Sequence, residues 1–507
     1  MPCLLRMFSF FLCISFSICA ASEEIKEFGP AFDVYVNKAM KEWGVSGAAI
    51  AVVHKDKVIF SKGYGVRGLD DSRPVDSQTL FSIGSTTKAF TAAALALLVD
   101  EGKISWDDRV ASLLPGFMLQ DAYASREATV RDLLSHRLGF PSKAGDLLFT
   151  YYDREEIVRR LQYIEPASSF RSKFAYQNMS FIVAGEIVRH VTGQSWDDFV
   201  EQHIVKPLGM KETDISTEKL RVSENVARAH FRIRGKNIST EVPVLESVGP
   251  AGAMVSSADE MTQWLRLQLG KGTVDGKKYL SSAIVAEMQS PQMMVPLDRT
   301  KKLYHPEAHM LAYGMGWYIA DYKGNRVLDH GGNLPGMTST VALMPEKDFG
   351  LVVLTNQDDS GLAKAIMYRI IDECFDYPEH DWSREILAGY HMLKEQENAY
   401  RMQAIGPQVP DTEPSHDLQS YVGTYYSPLY GEATVQLSDG QLRLSYGSDV
   451  TGNLGHWHYD TFRVTWNELL GQATLGDTLV NFVPGHDGQI QLIRILGVMD
   501  FQKVPEA

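Results

Sequence analysis

The sequence predicts an α/β sandwich followed by a separate all-β domain. Strand-like stretches at residues 47–53 and 58–65 come first, helical stretches fill the middle, and strand-like stretches return between residues 327 and 355. This order indicates one sheet that is completed by both ends of the first domain. Short alternating stretches after residue 418 indicate a second domain built from strands. A chain of 507 residues is long enough for two such domains.

The first domain opens with a hairpin around the polar turn at residues 54–57. A helix is predicted from Thr86 to Glu101, because this segment is rich in Ala and Leu and stops at Gly102. Another helix is predicted within residues 254–269, starting near residues 256–259. Further helical patterning, broken by Pro and Gly at 207–209, covers residues 130–135, 181–192 and 196–203.

The chain changes character near residue 383. Residues 383–405 are charged and helical in pattern, and 406–414 contain three prolines, so we predict a helical, Pro-rich linker over 383–415. About eight short strands follow in about ninety residues, which predicts a small barrel or sandwich over 416–505. The first domain then covers residues 29–382.

The N-terminus has the layout of a secretory signal peptide. Arg6 precedes an apolar run at residues 7–21, and small residues lead into Glu23. We therefore predict a signal peptide over 1–22 and a protein secreted across the inner membrane into the periplasm. The run is short for a membrane span, and the mature chain is predicted to have no stable span. Lipoprotein anchoring through Cys19 is not favoured, because residues 16–18 lack the small residue that such processing prefers.

Net charge and cysteine content indicate which partners and which covalent links the protein can have. The formal net charge of −14 argues against a nucleic-acid partner, because phosphate binding needs a basic face. Three of the four cysteines lie within the predicted signal peptide. Cys374 alone remains in the mature chain, so no intramolecular disulfide is predicted.

The four residues Ser85-Thr86-Thr87-Lys88 open the predicted apolar helix. Three residues of helix bring Lys88 back beside Ser85, and the helix N-terminus directs backbone N–H groups at charge that develops there. This suits a serine nucleophile with an amine close enough to take its proton. A second Ser-x-x-Lys match, Ser216 to Lys219, lies in a polar stretch without an apolar helix, and we predict no catalytic role for it.

Two further triplets follow in order. Tyr176-Gln177-Asn178 lies between a loop and a helix, where both side chains can project into a cleft. His330-Gly331-Gly332 ends a predicted strand, where glycines allow a ligand backbone to approach closely. Another Tyr-x-Asn match at residues 35–37 falls in a charged N-terminal helix and is interpreted as surface.

Together the three motifs resemble the serine β-lactamase and penicillin-binding superfamily. The resemblance is to its class C-like branch, which holds esterases, D-aminopeptidases and alkaline D-peptidases. The resemblance runs from about residue 31 to about residue 356. It includes the sequence segments at 81–85, 132–139, 207–210 and 313–317. It implies an antiparallel sheet flanked by helices with an all-helical lobe. The all-β tail resembles the lipocalin-like C-terminal module of some members.

The resemblance also implies roles for the matched residues. Ser85 would form the acyl-enzyme, and Lys88 would help to deprotonate it. Tyr176 would share that role and later activate water or protonate the leaving group. Asn178 would hold a substrate amide.

The strand triplet would complete the substrate site. His330 stands where many members place a lysine. Gly332 lies at the strand edge where a ligand backbone can approach closely. Backbone N–H groups of Ser85 and Asn333 would form the oxyanion hole. A histidine offers a positive charge only below about pH 6.5. The site is therefore predicted to be less committed to carboxylate recognition than a β-lactamase.

The sequence thus predicts a secreted serine hydrolase that cleaves an ester, amide or peptide bond, of esterase or D-amino-acid peptidase type. The alternative is a catalytically silent relative that binds peptide or cell-wall fragments. The expected partner is a small peptide or ester, and oligomerisation stays open. No cofactor or metal is predicted. Cleft walls are expected from residues 118–127, 142–152 and 298–309.

Overall fold

A computed structural model describes residues 25, 28–142, 147, 152–447, 450–495 and 499–505. The predicted signal peptide lies outside these residues. No helix within the described ranges is long and apolar enough to cross a membrane.

The described chain forms an α/β domain, a long connecting helix and a barrel. The strands of the first domain are β1 (Gly47–His54), β2 (Lys57–Gly65), β3 (Phe81–Ser82), β4 (Ala229–Ile233), β5 (Lys236–Thr240), β6 (Val255–Ser256), β7 (Thr273–Val274), β8 (Lys277–Lys278), β9 (Met293–Met294), β10 (Leu311–Tyr313), β11 (Tyr318–Tyr322), β12 (Asn325–Leu334), β13 (Met337–Met344) and β14 (Phe349–Thr355). The helices up to the barrel are α1 (Pro30–Trp43), α2 (Thr87–Asp100), α3 (Val110–Leu113), α4 (Ala122–Glu127), α5 (Val130–Leu134), α6 (Arg154–Arg160), α7 (Met179–Thr192), α8 (Trp196–Val200), α9 (Lys219–Val222), α10 (Gly249–Gly252), α11 (Ala258–Leu269), α12 (Ser282–Met288), α13 (Arg299–Tyr304), α14 (Leu362–Cys374) and α15 (Trp382–Ile405).

The main sheet is antiparallel. Within the described residues its order is β2-β1-β14-β13-β12-β11-β10-β9. Ala48 of β1 pairs with Thr355 of β14, so the beginning and the end of the domain form neighbouring strands of the sheet. The predicted fold class, with a sheet completed by both ends, is confirmed.

Both faces of the sheet are covered. Along β1 every residue is buried, because successive side chains point to opposite faces and each face has helices on it. Ala49 and Ala51 belong to the cluster that includes α2, α7 and α11, whereas Ile50 and Val52 belong to the cluster with α1 and α14. The first cluster forms the floor of the site described below.

The helix α11 begins within the predicted start region, residues 256–259. Val255 and Ser256 pair with β3 as a short strand, and the helix α11 starts after them. Ser257 is the N-cap, and its hydroxyl accepts a hydrogen bond from the Glu260 N–H at 3.2 Å. The strand pairing accounts for residues 255–256, so the helix itself starts at Ala258.

The helix α15 connects the two domains. Its first residues are buried against the first domain, where the indole N–H of Trp43 donates to the Ser383 hydroxyl at 3.1 Å. The remainder of the helix is largely exposed.

The C-terminal residues form a closed antiparallel barrel, which resolves the choice between barrel and sandwich. The first strand pairs with the last through Tyr425 and Lys503, and aromatic rings of Tyr421, Phe462 and Phe482 pack inside. Its elements are β15 (Gly423–Ser427), β16 (Gly431–Ser438), β17 (Gln441–Tyr446), β18 (Val450–His458), β19 (Thr461–Trp466), α16 (Leu469–Thr474), β20 (Thr478–Pro484), β21 (Ile490–Ile495) and β22 (Met499–Lys503).

The barrel packs directly on the first domain. Arg160 of α6 donates to the backbone carbonyls of Pro428 at 2.7 Å and Leu429 at 3.1 Å. Its guanidinium lies over the Tyr152 ring, 3.8 Å from the ring centre. Leu429 and Tyr430 also pack against the first domain's core. The barrel and the first domain are therefore in direct contact.

Candidate active site

Ser85 lies in a tight turn at the N-terminus of α2. A 3-10 turn spans Gly84–Thr86 and continues into the helix at Thr87. Gly84 has φ +50, a left-handed conformation that favours glycine. A Cβ at Gly84 would meet the Asn333 nitrogen at 2.8 Å, so β12 passes very close to this turn. The turn presents the Ser85 side chain to a cavity.

Lys88 is buried one helical turn after Ser85, as the motif spacing predicts. Its Nζ donates to Ser85 Oγ at 3.0 Å, to Asn178 Oδ1 at 2.7 Å and to the Ala251 carbonyl at 2.6 Å. Three acceptors match the three N–H donors of an ammonium group. Loss of one proton would let the Ser85 hydroxyl donate to the amine instead, so the contact can carry a proton in either direction.

Ala251 is a contact that sequence reasoning missed. It belongs to the short helix α10, and the neighbouring Pro250 carbonyl accepts from the Thr91 hydroxyl at 2.7 Å. The helix α10 thus packs on α2 and supplies a backbone acceptor to Lys88. A backbone carbonyl leaves no side-chain signature, so no motif marks this position.

The Tyr176-Gln177-Asn178 triplet reaches the same site. Asn178 is the N-cap residue of α7, and its amide oxygen accepts from Lys88. The centre of the Tyr176 ring lies 4.9 Å from Lys88 Nζ. The structure thus brings Ser85, Lys88, Tyr176 and Asn178 together.

The strand β12 closes the site on the other side. Its pairing with β11 ends at Asp329, so residues 330–334 have no partner on that edge within the described chain. A Cβ at Gly332 would lie 1.9 Å from the Ile83 carbonyl oxygen and 2.4 Å from Ser339 Oγ. Only glycine permits this approach, which places the backbone of Asn333 beside the Ser85 turn.

His330 is buried and neutral. Nδ1 donates to the Gly331 carbonyl at 2.7 Å, and Nε2 accepts from the Tyr313 hydroxyl at 2.9 Å. Burial, and then the charge of Lys88, lower the pKa of His330 to about 3. The sequence-based expectation of a positive charge below about pH 6.5 is therefore corrected: His330 stays neutral far into the acid range.

His136 is a second buried histidine that the sequence did not single out as functional. It has φ +56, its Nδ1 accepts from the Gln177 N–H at 3.2 Å, and its ring centre lies 4.4 Å from that of Tyr176. Burial, and then Lys88, hold its pKa well below the usual value. The His136 ring therefore packs against the ring of Tyr176.

An ion pair lies next to His330. The carboxylate of Asp329 is paired with Lys364 and accepts from His305 Nε2 at 3.3 Å. Burial opposes ionisation of Asp329, but the charges of Lys364 and His305 hold its pKa below the usual value. The His305 ring is buried, whereas His309, four residues further along, is exposed.

The cavity at Ser85 is about 430 Å³ in volume and has walls from both domains. The first domain supplies apolar side chains of Phe231, Leu245 and Val248, and the barrel supplies Ala473 and Thr474 of α16. These described wall residues lie outside the segments 118–127 and 298–309 that the sequence suggested, and most of the third suggested segment, 142–152, lies outside the described residues. The other lining residues are Ser85, Asn178, Ala251, Gly252, Asn333, Leu334, Pro335, Asp358 and Asp359.

A larger cavity of about 760 Å³ lies elsewhere, and its lining includes neither Ser85 nor Lys88. Its polar side chains are largely ion-paired, as in Arg154 with Asp197 at 2.5 Å and Arg189 with Glu186 at 2.7 Å. We therefore place the chemistry at the smaller cavity.

The second Ser-x-x-Lys match and the second Tyr-x-Asn match lie outside the site, as predicted. Lys219 of the second Ser-x-x-Lys is paired with Glu212 at 3.2 Å, and Tyr35 of the second Tyr-x-Asn accepts from the Ser383 N–H at 3.1 Å. In the described part of the chain, no group of three or more His, Cys, Asp or Glu residues is arranged to hold a metal ion.

Comparison with known families decides the classification. A family model described as beta-lactamase matches residues 32–373. The chain belongs to the beta-lactamase family. A second model, described as a domain of unknown function, matches residues 407–504 and so covers the barrel.

Several curated relatives are similar in sequence to most of this chain. Unguisins hydrolase of Aspergillus campestris is 30% identical over 434 residues and covers 82% of this chain and 79% of its own length. Unguisins hydrolase of Aspergillus violaceofuscus is 28% identical over 453 residues and covers 81% and 77%. Protein flp of Staphylococcus aureus is 26% identical over 343 residues and covers 66% and 64%.

One solved structure has a similar fold over most of both domains. The octameric penicillin-binding protein homologue from Pyrococcus abyssi has a TM-score of 0.60 at 20% identity and covers 93% of this chain and 98% of its own. A class C beta-lactamase from Rhodobacter sphaeroides has a TM-score of 0.55 at 25% identity and covers 68% and 99%. The first likeness concerns the fold alone.

Proposed function

We propose that this member of the beta-lactamase family is a secreted serine hydrolase that forms an acyl-enzyme on Ser85. The observation that carries the proposal is the 3.0 Å contact between Lys88 Nζ and Ser85 Oγ, at the edge of a cavity of about 430 Å³. Two relatives with the name of hydrolase support this class of activity.

The first step forms the acyl-enzyme. Ser85 Oγ attacks the substrate carbonyl while its proton passes to Lys88 Nζ in the neutral form, with Tyr176 alongside. The negative charge on the carbonyl oxygen is stabilised by the backbone N–H groups of Ser85 and Asn333. When the carbon–heteroatom bond breaks, the leaving group takes the proton. Asn178, which lines the cavity, would bind a substrate amide.

The second step releases the acid. A water molecule gives a proton to the same basic groups and attacks the acyl carbonyl, the bond to Ser85 Oγ breaks, and the serine recovers a proton. No cofactor takes part in this scheme.

The neutral state of His330 supports an esterase or D-amino-acid peptidase over an efficient β-lactamase. A carboxylate-bearing β-lactam gains most from a fixed positive charge at this point of the site. His330 supplies none above about pH 3. We therefore propose esters, amides or small peptides without a required carboxylate as substrates.

Covalent labelling tests the proposal. The purified protein is treated with a fluorophosphonate probe or with penicillin, and its intact mass is measured. We expect one adduct in the wild type and in Ser216→Ala, whose serine belongs to the second motif, and no adduct in folded Ser85→Ala. Absence of any adduct in the folded wild type would favour the silent peptide-binding alternative.

A substrate panel then ranks the activities. Nitrophenyl esters, D-Ala-D-Ala peptides and a chromogenic cephalosporin are compared by kcat/KM. Ester turnover above cephalosporin turnover is expected, and the reverse order would contradict the role given to His330. Secretion is tested in the same preparation, because removal of residues 1–22 lowers the mass of the exported chain.

A further inference from the structure

Asp358 brings a carboxylate into the cavity that holds Ser85. It follows β14 and lies in the loop before α14. Its Oδ1 accepts two long hydrogen bonds, from Asn333 Nδ2 and from the Gly336 N–H, both at 3.3 Å. Within the described chain no lysine, arginine or histidine is paired with it, and Oδ2 accepts no hydrogen bond.

The neighbouring carboxylate is different. Asp359 also lines the cavity but is paired with Lys394 at 2.7 Å. Its own backbone N–H donates to Asn333 Oδ1 at 2.8 Å. The charge of Asp359 is thus largely compensated, whereas that of Asp358 is not.

The other described residues that line the cavity carry no positive charge. The described lining contains no lysine, arginine or histidine, and Phe231, Leu245, Val248 and Leu334 make much of it apolar. In such surroundings a charge interacts more strongly than in water. The cavity therefore favours a cation and disfavours an anion near Asp358.

Burial, and then the charge of Asp359, raise the pKa of Asp358 to about 6. The carboxylate is still mostly ionised above neutral pH. A substrate cation would relieve the cost of holding this charge.

We propose that Asp358 selects substrates that carry an ammonium group close to the reactive carbonyl, such as peptides or amides with a free amino group. The inference rests on the proposed acyl transfer at Ser85 and adds the substrate class. Asp358 contacts the substrate in this scheme and determines specificity, while bond cleavage remains with Ser85 and Lys88.

Matched substrate pairs test the selection. The acyl series comprises D-alanyl, β-alanyl and 4-aminobutyryl p-nitroanilides, each with the analogue in which a methyl group replaces the ammonium group. The leaving-group series comprises acetate esters of ammonium-bearing alcohols with the corresponding methyl analogues. The readout is the ratio of kcat/KM for the ammonium substrate to that for its methyl analogue. We expect a wild-type ratio of at least about tenfold in one series.

Asp358→Asn is the test variant, because the amide oxygen keeps an acceptor for the Gly336 N–H while the charge is removed. Its ratio is expected to fall toward one. Glu246→Gln is the control: it removes one carboxylate next to the wall residue Leu245, yet Glu246 does not line the cavity. The control is expected to keep the wild-type ratio.

Three outcomes overturn the inference. One is a wild-type ratio near or below one in both series, and another is an unchanged ratio in folded Asp358→Asn; in both, labelling at Ser85 shows that the proposed function still stands. If Asp358→Asn does not fold, Asp358→Ser takes its place with the same expectation. The third outcome, no labelling and no turnover by the wild type, removes the proposed function and this inference with it.

Discussion

Ser85 and Thr474 line the same cavity, although Ser85 precedes the first long helix after the hairpin and Thr474 ends a helix of the barrel. A ligand that fills this 430 Å³ cavity therefore contacts both domains at once. The barrel forms part of the wall that decides which acyl groups fit.

Narrowing the barrel wall should change substrate range. Thr474→Trp places a large ring at the cavity, so kcat/KM for a long-chain nitrophenyl ester should fall at least about tenfold relative to the acetyl ester. Gln472→Trp, an exposed change on the same helix that does not line the cavity, should leave this preference as in the wild type. Equal preferences in the two variants would mean that α16 does not bound the acyl group.

Removal of the whole barrel should broaden substrate range without abolishing the chemistry. A chain that ends after Gly406 keeps α15 and every candidate catalytic residue, but it exposes the apolar surface that Leu429 and Tyr430 cover. We expect labelling at Ser85 together with a lower Tm and faster turnover of bulky esters relative to acetyl esters. An aggregated truncation, or a folded one that cannot be labelled, would show that the first domain depends on the barrel.

Loss of the Lys88 amine should abolish most activity. Lys88→Ala removes the group that takes the Ser85 proton, and turnover should fall at least about a hundredfold. Lys219→Ala, which makes the same change in the second motif, should keep normal turnover because Lys219 is paired with Glu212 outside the site. Near-normal activity of folded Lys88→Ala would refute the proposed role of the motif.

The two glycines of β12 offer a matched pair. Gly332→Ala forces a methyl group against the Ile83 carbonyl and should cost about 1–3 kcal/mol of stability and at least about a hundredfold in activity. Gly331→Ala meets nothing nearer than the Ser339 carbonyl oxygen at 3.7 Å and should be tolerated. Thermal unfolding and ester turnover measure both effects. Equal effects of the two changes would contradict the close approach of β12 to the Ser85 turn.

The buried state of His330 should make folding sensitive to acid. An unfolded imidazole takes up a proton below about pH 6.5, whereas folded His330 stays neutral down to about pH 3. The unfolded state binds more protons in this window, so His330 lowers the free energy of unfolding by up to about 1.4 kcal/mol per pH unit as the pH falls through it.

Denaturant titrations at several pH values measure this effect. The stability advantage of the wild type over His330→Asn should shrink as the pH falls from about 6.5 toward 3. His190→Asn, a change at an exposed ring, controls for the substitution itself. A constant difference between wild type and His330→Asn would show that folded His330 titrates like the unfolded imidazole.

Much of the site could be predicted from local sequence. Ser85 and Lys88 meet because three residues of helix always bring side chains to one face. The apolar helix behind them distinguished this motif from the copy at Ser216, and the strand pattern around His330 indicated the sheet edge. These inferences depend on short-range geometry, which the sequence carries directly.

Other features were decided only by tertiary structure. The Ala251 carbonyl, the carboxylate of Asp358 and the helix α16 reach the cavity from distant parts of the chain, and no spacing rule relates them to Ser85. The charge state of His330 also depends on burial among aromatic rings and on the nearby Lys88, since the pKa of an imidazole is set by its surroundings. The sequence by itself determined which residues can carry out acyl transfer. The packing of the two domains decided which walls and charges a substrate meets, because those contacts join residues that are far apart along the chain.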